Sequence, residues 1–155
     1  LAKLKAYIET SVFNRYFEDC REHSASTKAL FDKIAAGEIQ GFTSDAVVDE
    51  INKAPSPKKE AMLVLAVSHK LITLSVDKKA DSLADGYVKA AVIPIRFRTD
   101  AIHIATSAVN GMDCIVSLNF QHINKVKTKF MTAAINKLQE YGNPEICTPE
   151  EVIYD

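Results

Sequence analysis

Four residues of this chain carry side-chain oxygens at positions that a parallel α/β sheet would bring to one edge. They are Glu9 at the end of a short apolar run, Glu50 in a helical stretch, Asp100 in the first turn of another, and Asn119 after a buried strand. Carboxylates crowded into one cleft repel one another unless they are protonated or bridged by a cation. Hard oxygen ligands with no paired His or Cys favour Mg²⁺ or Mn²⁺. Such ions commonly act on phosphodiesters, activating a water and stabilising charge on the attacked phosphate. The chemistry these residue types suit is metal-assisted phosphodiester hydrolysis.

Each residue also has a plainer use. An acid in a first helical turn, as Asp100 is, more often complements the helix dipole, and Glu50 alone would be a solvated helix residue. Asn119 alone would be a turn residue, whereas an acid that ends an apolar strand, as Glu9 does, stands where this fold class binds ligands. His103 follows Asp100 at a spacing that would suit a ligand, but a packed histidine or one supporting a ligand is the more frequent outcome. Thr10 and Ser11 can hydrogen-bond the acids or cap the following helix, and Ser117 precedes Asn119 on the same strand end. The alternating Lys125, Lys127 and Lys129 read as a solvated face rather than as phosphate contacts.

The elements that must position these groups are legible in order. Leu4 to Ile8 reads as a first strand followed by a helix over VFNRYFEDC. Ser24 or Ser26 caps a second helix through Ala36, with Leu30, Phe31 and Ile34 inside and Gly37 as its stop. Ile39 to Thr43 is a second strand, after which Ser44 caps a helix carrying Ala46, Val47, Val48 and Ile51. At 100° per residue, Glu50 borders that apolar face while Asp49 points away. Ala54 to Pro57 breaks this helix, and Lys58 to His69 is the next, with Met62, Leu63, Leu65 and Ala66 inside. Leu71 to Leu74 is a third strand, Val76 to Ala91 a helix, and Pro94 to Arg98 a loop.

Thr99 is the expected N-cap of a helix whose Ala101, Ala105 and Ala108 form one small-residue face, with Asp100, His103, Ser107 and Asn110 opposite and Gly111 at its end. Cys114 to Val116 is too short and apolar for anything but a strand covered on both faces. Asp113 begins it, roughly 20 Å from Asn119 at strand rise, too far to share a site. Lys125 to Tyr141 reads as a last helix and Glu145 to Cys147 as a closing strand, with Thr148 to Glu151 as a capping box. Strands alternating with helices predict an α/β fold, a three-layer α/β/α sandwich around a central parallel sheet with right-handed crossovers.

A chain of 155 residues, 47% hydrophobic and 25% charged, fits a single domain spanning 1–155. No apolar run approaches a membrane span, and Lys3 and Lys5 interrupt any signal-like start, so a soluble, cytoplasmic protein is expected. Cys20, Cys114 and Cys147 are odd in number and widely spaced, which suits reduced thiols rather than a zinc site. A net charge of −1 neither requires nor excludes a nucleic-acid partner. No glycine-rich phosphate loop follows any strand, which argues against a nucleotide-binding or receiver domain.

The segments YIETSVFNRYF, TSDAVVDEI and RTDAIHIATSAVNGMDCIVSLNFQHI follow in an order and spacing that resembles PIN-domain proteins, a family that includes the nuclease toxins of toxin–antitoxin pairs. The likeness runs from about Leu4 to Cys147. It implies a PIN-like α/β/α sandwich, a Mg²⁺- or Mn²⁺-dependent endoribonuclease acting on RNA, a homodimer, and a small antitoxin protein as partner. By position, Glu9, Glu50 and Asp100 match the family's first three acids as metal-holding catalytic residues, and Asn119 matches the fourth. Glu9 stands where Asp is commoner and keeps the charge on a longer arm. Asn119, also in place of Asp, keeps an oxygen and loses the charge. That last exchange leaves a second expectation, a PIN scaffold that binds RNA or protein with little catalysis.

Overall fold

The computed structural model describes residues 2–154. Five short strands form one sheet: β1 (Leu4–Ile8), β2 (Ile39–Ser44), β3 (Ile72–Leu74), β4 (Cys114–Val116) and β5 (Glu145–Cys147), in the order β3-β2-β1-β4-β5. Every pairing is parallel, with Tyr7 beside Phe42 on one side and Ile115 on the other. The helices are α1 (Thr10–Tyr16), α2 (Ser24–Ala35), α3 (Asp45–Asn52), α4 (Lys58–Ser68), α5 (Lys78–Lys89), α6 (Arg98–Val109), α7 (Val126–Leu138) and α8 (Pro149–Ile153). Helix α2 touches α1 and α8, α1 also touches α4, α5 packs on α6 and α7, and α3 reaches α1, α4 and α6. The result is the expected three-layer α/β/α sandwich.

Because the chain runs outward from β1 to β3 and then returns to lay β4 on the other side of β1, the strand order reverses between β1 and β4. Connections leaving those two carboxyl ends diverge and open a crevice there, the usual ligand position in such sheets. The core lies beneath it: Tyr7, Ile8, Phe13, Phe31, Ile51, Ile104 and Ile115 are among its fully buried side chains. Gly41 of β2 is needed for close packing, since a Cβ there would lie 2.2 Å from Leu71 Cδ2 and 3.0 Å from Ile34 Cγ2. Gly111 takes φ +68° just past α6, where the Gly111 and Met112 amides close the helix end on Ala108 and Ser107.

Several expectations are corrected. The helix after β1 ends at Tyr16, not Cys20, and the chain turns through left-handed residues at Cys20 and His23. Thus α2 starts at Ser24 with no side-chain cap. Thr99 does not cap α6. The helix begins one residue earlier, at Arg98, whose guanidinium reaches back to Asp85 Oδ1 at 2.9 Å and Asp81 Oδ1 at 3.3 Å and clamps α6 to α5. The stretch expected as a loop before it contains a 3-10 turn at Ile95–Phe97.

Nor does α6 have a polar outer side. Ala101, His103, Ile104, Ala105, Thr106, Ser107 and Ala108 are all buried, because the helix is wedged between α5, α3 and the sheet. Thr148 donates to the Glu151 carboxylate at 3.3 Å instead of capping α8 in a box. Phe13 lies wholly in the core, edge-on to Phe31.

Candidate active site

Glu9 leaves β1 as the cap of α1, and its carboxylate is buried at the reversal point. Its Oε2 accepts from the Ser11 amide at 3.0 Å, while Oε1 accepts from the Ser11 and Ser117 hydroxyls, each at 2.6 Å. The same Ser11 oxygen accepts from the Leu118 amide at 2.9 Å, and Ser117 Oγ from the Asn119 amide at 3.0 Å. Short polar side chains thus staple the ends of β1 and β4 around one carboxylate.

Glu50 reaches the crevice from α3, which Ser44 starts by accepting from the Val47 amide. Both of its hydrogen bonds fall on Oε1, from Thr10 Oγ1 at 2.7 Å and from His103 Nε2 at 2.6 Å. Its carboxyl is desolvated, yet it is held below the usual range because His103 and then Thr10 favour the charged form. His103 is fully buried, which would depress it, but the facing Glu50, Glu9 and Asp100 raise it instead. The ring's Nδ1 lies 2.7 Å from the Tyr7 hydroxyl, itself 2.7 Å from Ser44 Oγ. Burial, foremost, keeps Tyr7 un-ionised. Both ring nitrogens of His103 are thus engaged, one by Glu50 and the other by Tyr7. Asp49 is exposed and turned away, as the helical geometry required.

Asp100 enters from the start of α6. Its carboxyl is raised to about 6, first by desolvation and then by the negative charge of Glu9 and Glu50, against the pull of His103 and a hydrogen bond with Asn119. Asn119 Oδ1 accepts from the His122 amide at 3.0 Å, which leaves the amide nitrogen to serve Asp100. Asn124 pins the loop by donating to the Ser117 carbonyl at 3.0 Å. Asp113 lies at the opposite end of β4, accepting from the Lys5 amide at 2.8 Å.

Donor atoms of Glu9, Glu50 and His103 lie within 4.8 Å of one another. Since His103 Nε2 donates to Glu50, the ligand atoms that remain in this group are carboxylate oxygens of Glu9 and Glu50. This set fits a hard divalent cation and not a soft one. Glu50 also borders a cavity of about 360 Å³ shared with Asp45, Asp49, Lys53 and Ile102. Sequence reasoning missed Tyr7, Ser44 as its partner, and His122. The one available signal for Tyr7 was a phenol in the apolar end of the first strand, two residues before Glu9.

A parallel sheet in this order, with acids at its reversal point and helices on both faces, defines a PIN-like α/β/α domain. A solved structure with this fold is VapC20 of Mycobacterium tuberculosis, a Sarcin-Ricin loop cleaving toxin. It aligns with TM-score 0.52 and 14% identity over 79% of this chain and 97% of its own. No protein-family model and no curated protein matches the sequence. At that identity the likeness carries the fold alone.

Proposed function

We propose that this chain is a Mg²⁺- or Mn²⁺-dependent endoribonuclease, the toxin of a toxin–antitoxin pair. The observation that carries the reading is the convergence of Glu9 and Glu50 at the β1–β4 reversal point, where their carboxylates and the His103 ring nitrogen lie within 4.8 Å of one another. A fold shared with a Sarcin-Ricin loop cleaving toxin supports the substrate class.

Glu9, Glu50 and Asp100 would hold the ion, which when bound activates water and stabilises charge on the attacked phosphate. Ser11 and Ser117 fix the Glu9 carboxylate. Thr10 and His103 fix Glu50 through one oxygen and leave the other toward the crevice. Asn119 serves as an auxiliary, donating to Asp100 and so favouring its ionised form. An antitoxin protein, a homodimer and a cytoplasmic setting belong to the same reading. No helix among the described residues is long and apolar enough to cross a membrane.

The test is cleavage of RNA by the purified protein with Mn²⁺ or Mg²⁺ and its arrest by chelator. Glu50→Gln and Asp100→Asn should each abolish cleavage while the circular dichroism spectrum stays native. Undiminished cleavage in chelator, or by both variants, refutes the reading. The alternative, a scaffold that binds RNA or protein without efficient catalysis, draws its support from the neutral Asn119. It would show as RNA binding without turnover.

A further inference from the structure

Aromatic rings gather on the loop that follows Asn119. Phe97 and His122 stack with centroids 4.0 Å apart and planes 28° apart, and the Arg96 guanidinium lies 4.9 Å from the Phe97 centroid. Phe97 stands three residues before Asp100 and His122 three after Asn119, so this stack joins the two segments that carry Asp100 and Asn119. The hydrogen bond from the His122 amide to Asn119 Oδ1 ties that stack to the site.

Phe120, next to Asn119, is 47% exposed. Its ring is 5.7 Å from His23 at a 40° tilt, and His23 is fixed by Glu150 Oε1 at 2.8 Å. Among the described residues neither Arg96 nor Lys125 is paired with an acid.

Phe120 is an exposed phenyl ring on a pinned loop, and the charges of Arg96 and Lys125 both reach His122, two residues further along that loop, which favours an anionic occupant. A nucleobase on a phosphate chain meets both demands, since every base has a π-face and each link a charge. An apolar protein side chain would use only the ring. We propose that Phe120 is a nucleobase-stacking subsite beside the carboxylate cluster, with Arg96 and Lys125 meeting the flanking phosphates. This rests on the nuclease reading above. A base within a duplex has both faces covered, so the subsite takes an unpaired nucleotide and fixes the register of the strand against Glu9, Glu50 and Asp100.

The chain contains no tryptophan, so Phe120→Trp introduces a single fluorescent reporter. In a Glu50→Gln background with Mn²⁺, single-stranded oligoadenylate should quench that fluorescence saturably, and an abasic ribose-phosphate chain of equal length should not. Without the Glu50 change, Phe120→Ala should raise KM for RNA cleavage about tenfold with kcat little altered, and Phe120→Tyr should restore it. Phe130→Ala, at an exposed ring on α7, should change neither. Equal quenching by the abasic chain, or an unchanged KM in Phe120→Ala, overturns the subsite and leaves the nuclease reading standing. A wild-type protein that neither binds nor cleaves RNA overturns both.

Discussion

His103 Nε2 lies 2.6 Å from Glu50 Oε1 although the two residues belong to different helices and stand far apart in the chain. The histidine is fully buried on α6 and the glutamate half-buried on α3, so this contact joins the two helices across the top of the sheet. The imidazole raised by facing carboxylates and the carboxylate lowered by that imidazole are two sides of this one contact.

His103→Gln removes the imidazole that hydrogen-bonds Glu50. The expected outcome is weaker Mn²⁺ binding and a loss of stability of about 1–3 kcal/mol, the cost of leaving a desolvated acceptor underserved. Urea unfolding and calorimetric titration measure the two effects. Wild-type values in both would remove His103 from any supporting role.

Tyr7→Phe deletes the hydroxyl that bridges Ser44 and His103 while keeping the ring in the core. Stability should fall by about 1–2 kcal/mol because two buried polar partners lose a hydrogen bond and no cavity opens. Denaturant melts of the single variant and of Tyr7→Phe with His103→Gln should show non-additive losses, since the residues share one network. Strict additivity would contradict the network.

The pH dependence of metal-free protein has a determined sign. Asp100 is raised to about 6 in the folded chain, so the native state keeps a proton that the unfolded chain releases above about 4. Its contribution to stability is present at low pH and is lost as pH rises from about 4 to about 6. Glu50, lowered, acts oppositely, its contribution being lost only as pH falls below the ordinary glutamate range. Urea midpoints in chelator should decline across the Asp100 window, and Asp100→Asn should flatten that decline. A decline of equal size in the variant would point to another group.

Asn119→Asp replaces the amide that serves Asp100 with a fourth charge. Without metal the melting temperature should drop, because a new carboxylate joins acids that already repel. With Mn²⁺ the affinity should rise roughly tenfold, as ~1.4 kcal/mol of added attraction would give. Calorimetry together with melts in chelator and in Mn²⁺ tests both arms. If neither quantity moves, Asn119 lies outside the site's electrostatics.

Gly41→Ala should destabilise the fold by about 1–3 kcal/mol with metal affinity unchanged, because the added Cβ meets Leu71 and Ile34 far from the acids. Thermal unfolding and Mn²⁺ titration separate the two. Altered metal binding would show that strain at β2 reaches the crevice.

Local information sufficed for much of this protein. β1, β4 and β5 fall where apolar runs bounded by polar residues put them, and Ser44, Gly37 and Gly111 start or stop their helices by local backbone chemistry. Alternating strands and helices dictated a parallel three-layer fold, and Glu50 faces inward because helix geometry leaves it on the border of an apolar stripe. Thr99 failed as a cap because a long-range clamp from Arg98 to α5 sets the start of α6, which no local pattern records. The polar face drawn for α6 vanished for a similar reason, since three packed neighbours bury a helix whose own residues look amphipathic.

The site's inner workings were likewise settled only by folding. Strand order brings Glu9 and Ser117 together from distant parts of the chain, and α3 lies over α6 so that Glu50 meets His103. Tyr7 becomes part of the site because its strand neighbours leave room for the hydroxyl to find Ser44 and His103. The pull of burial against the push of neighbouring charge, which raises Asp100 and lowers Glu50, depends on distances between elements. A sequence specifies which groups can be charged, but their shared environment exists only once the sheet edge has assembled.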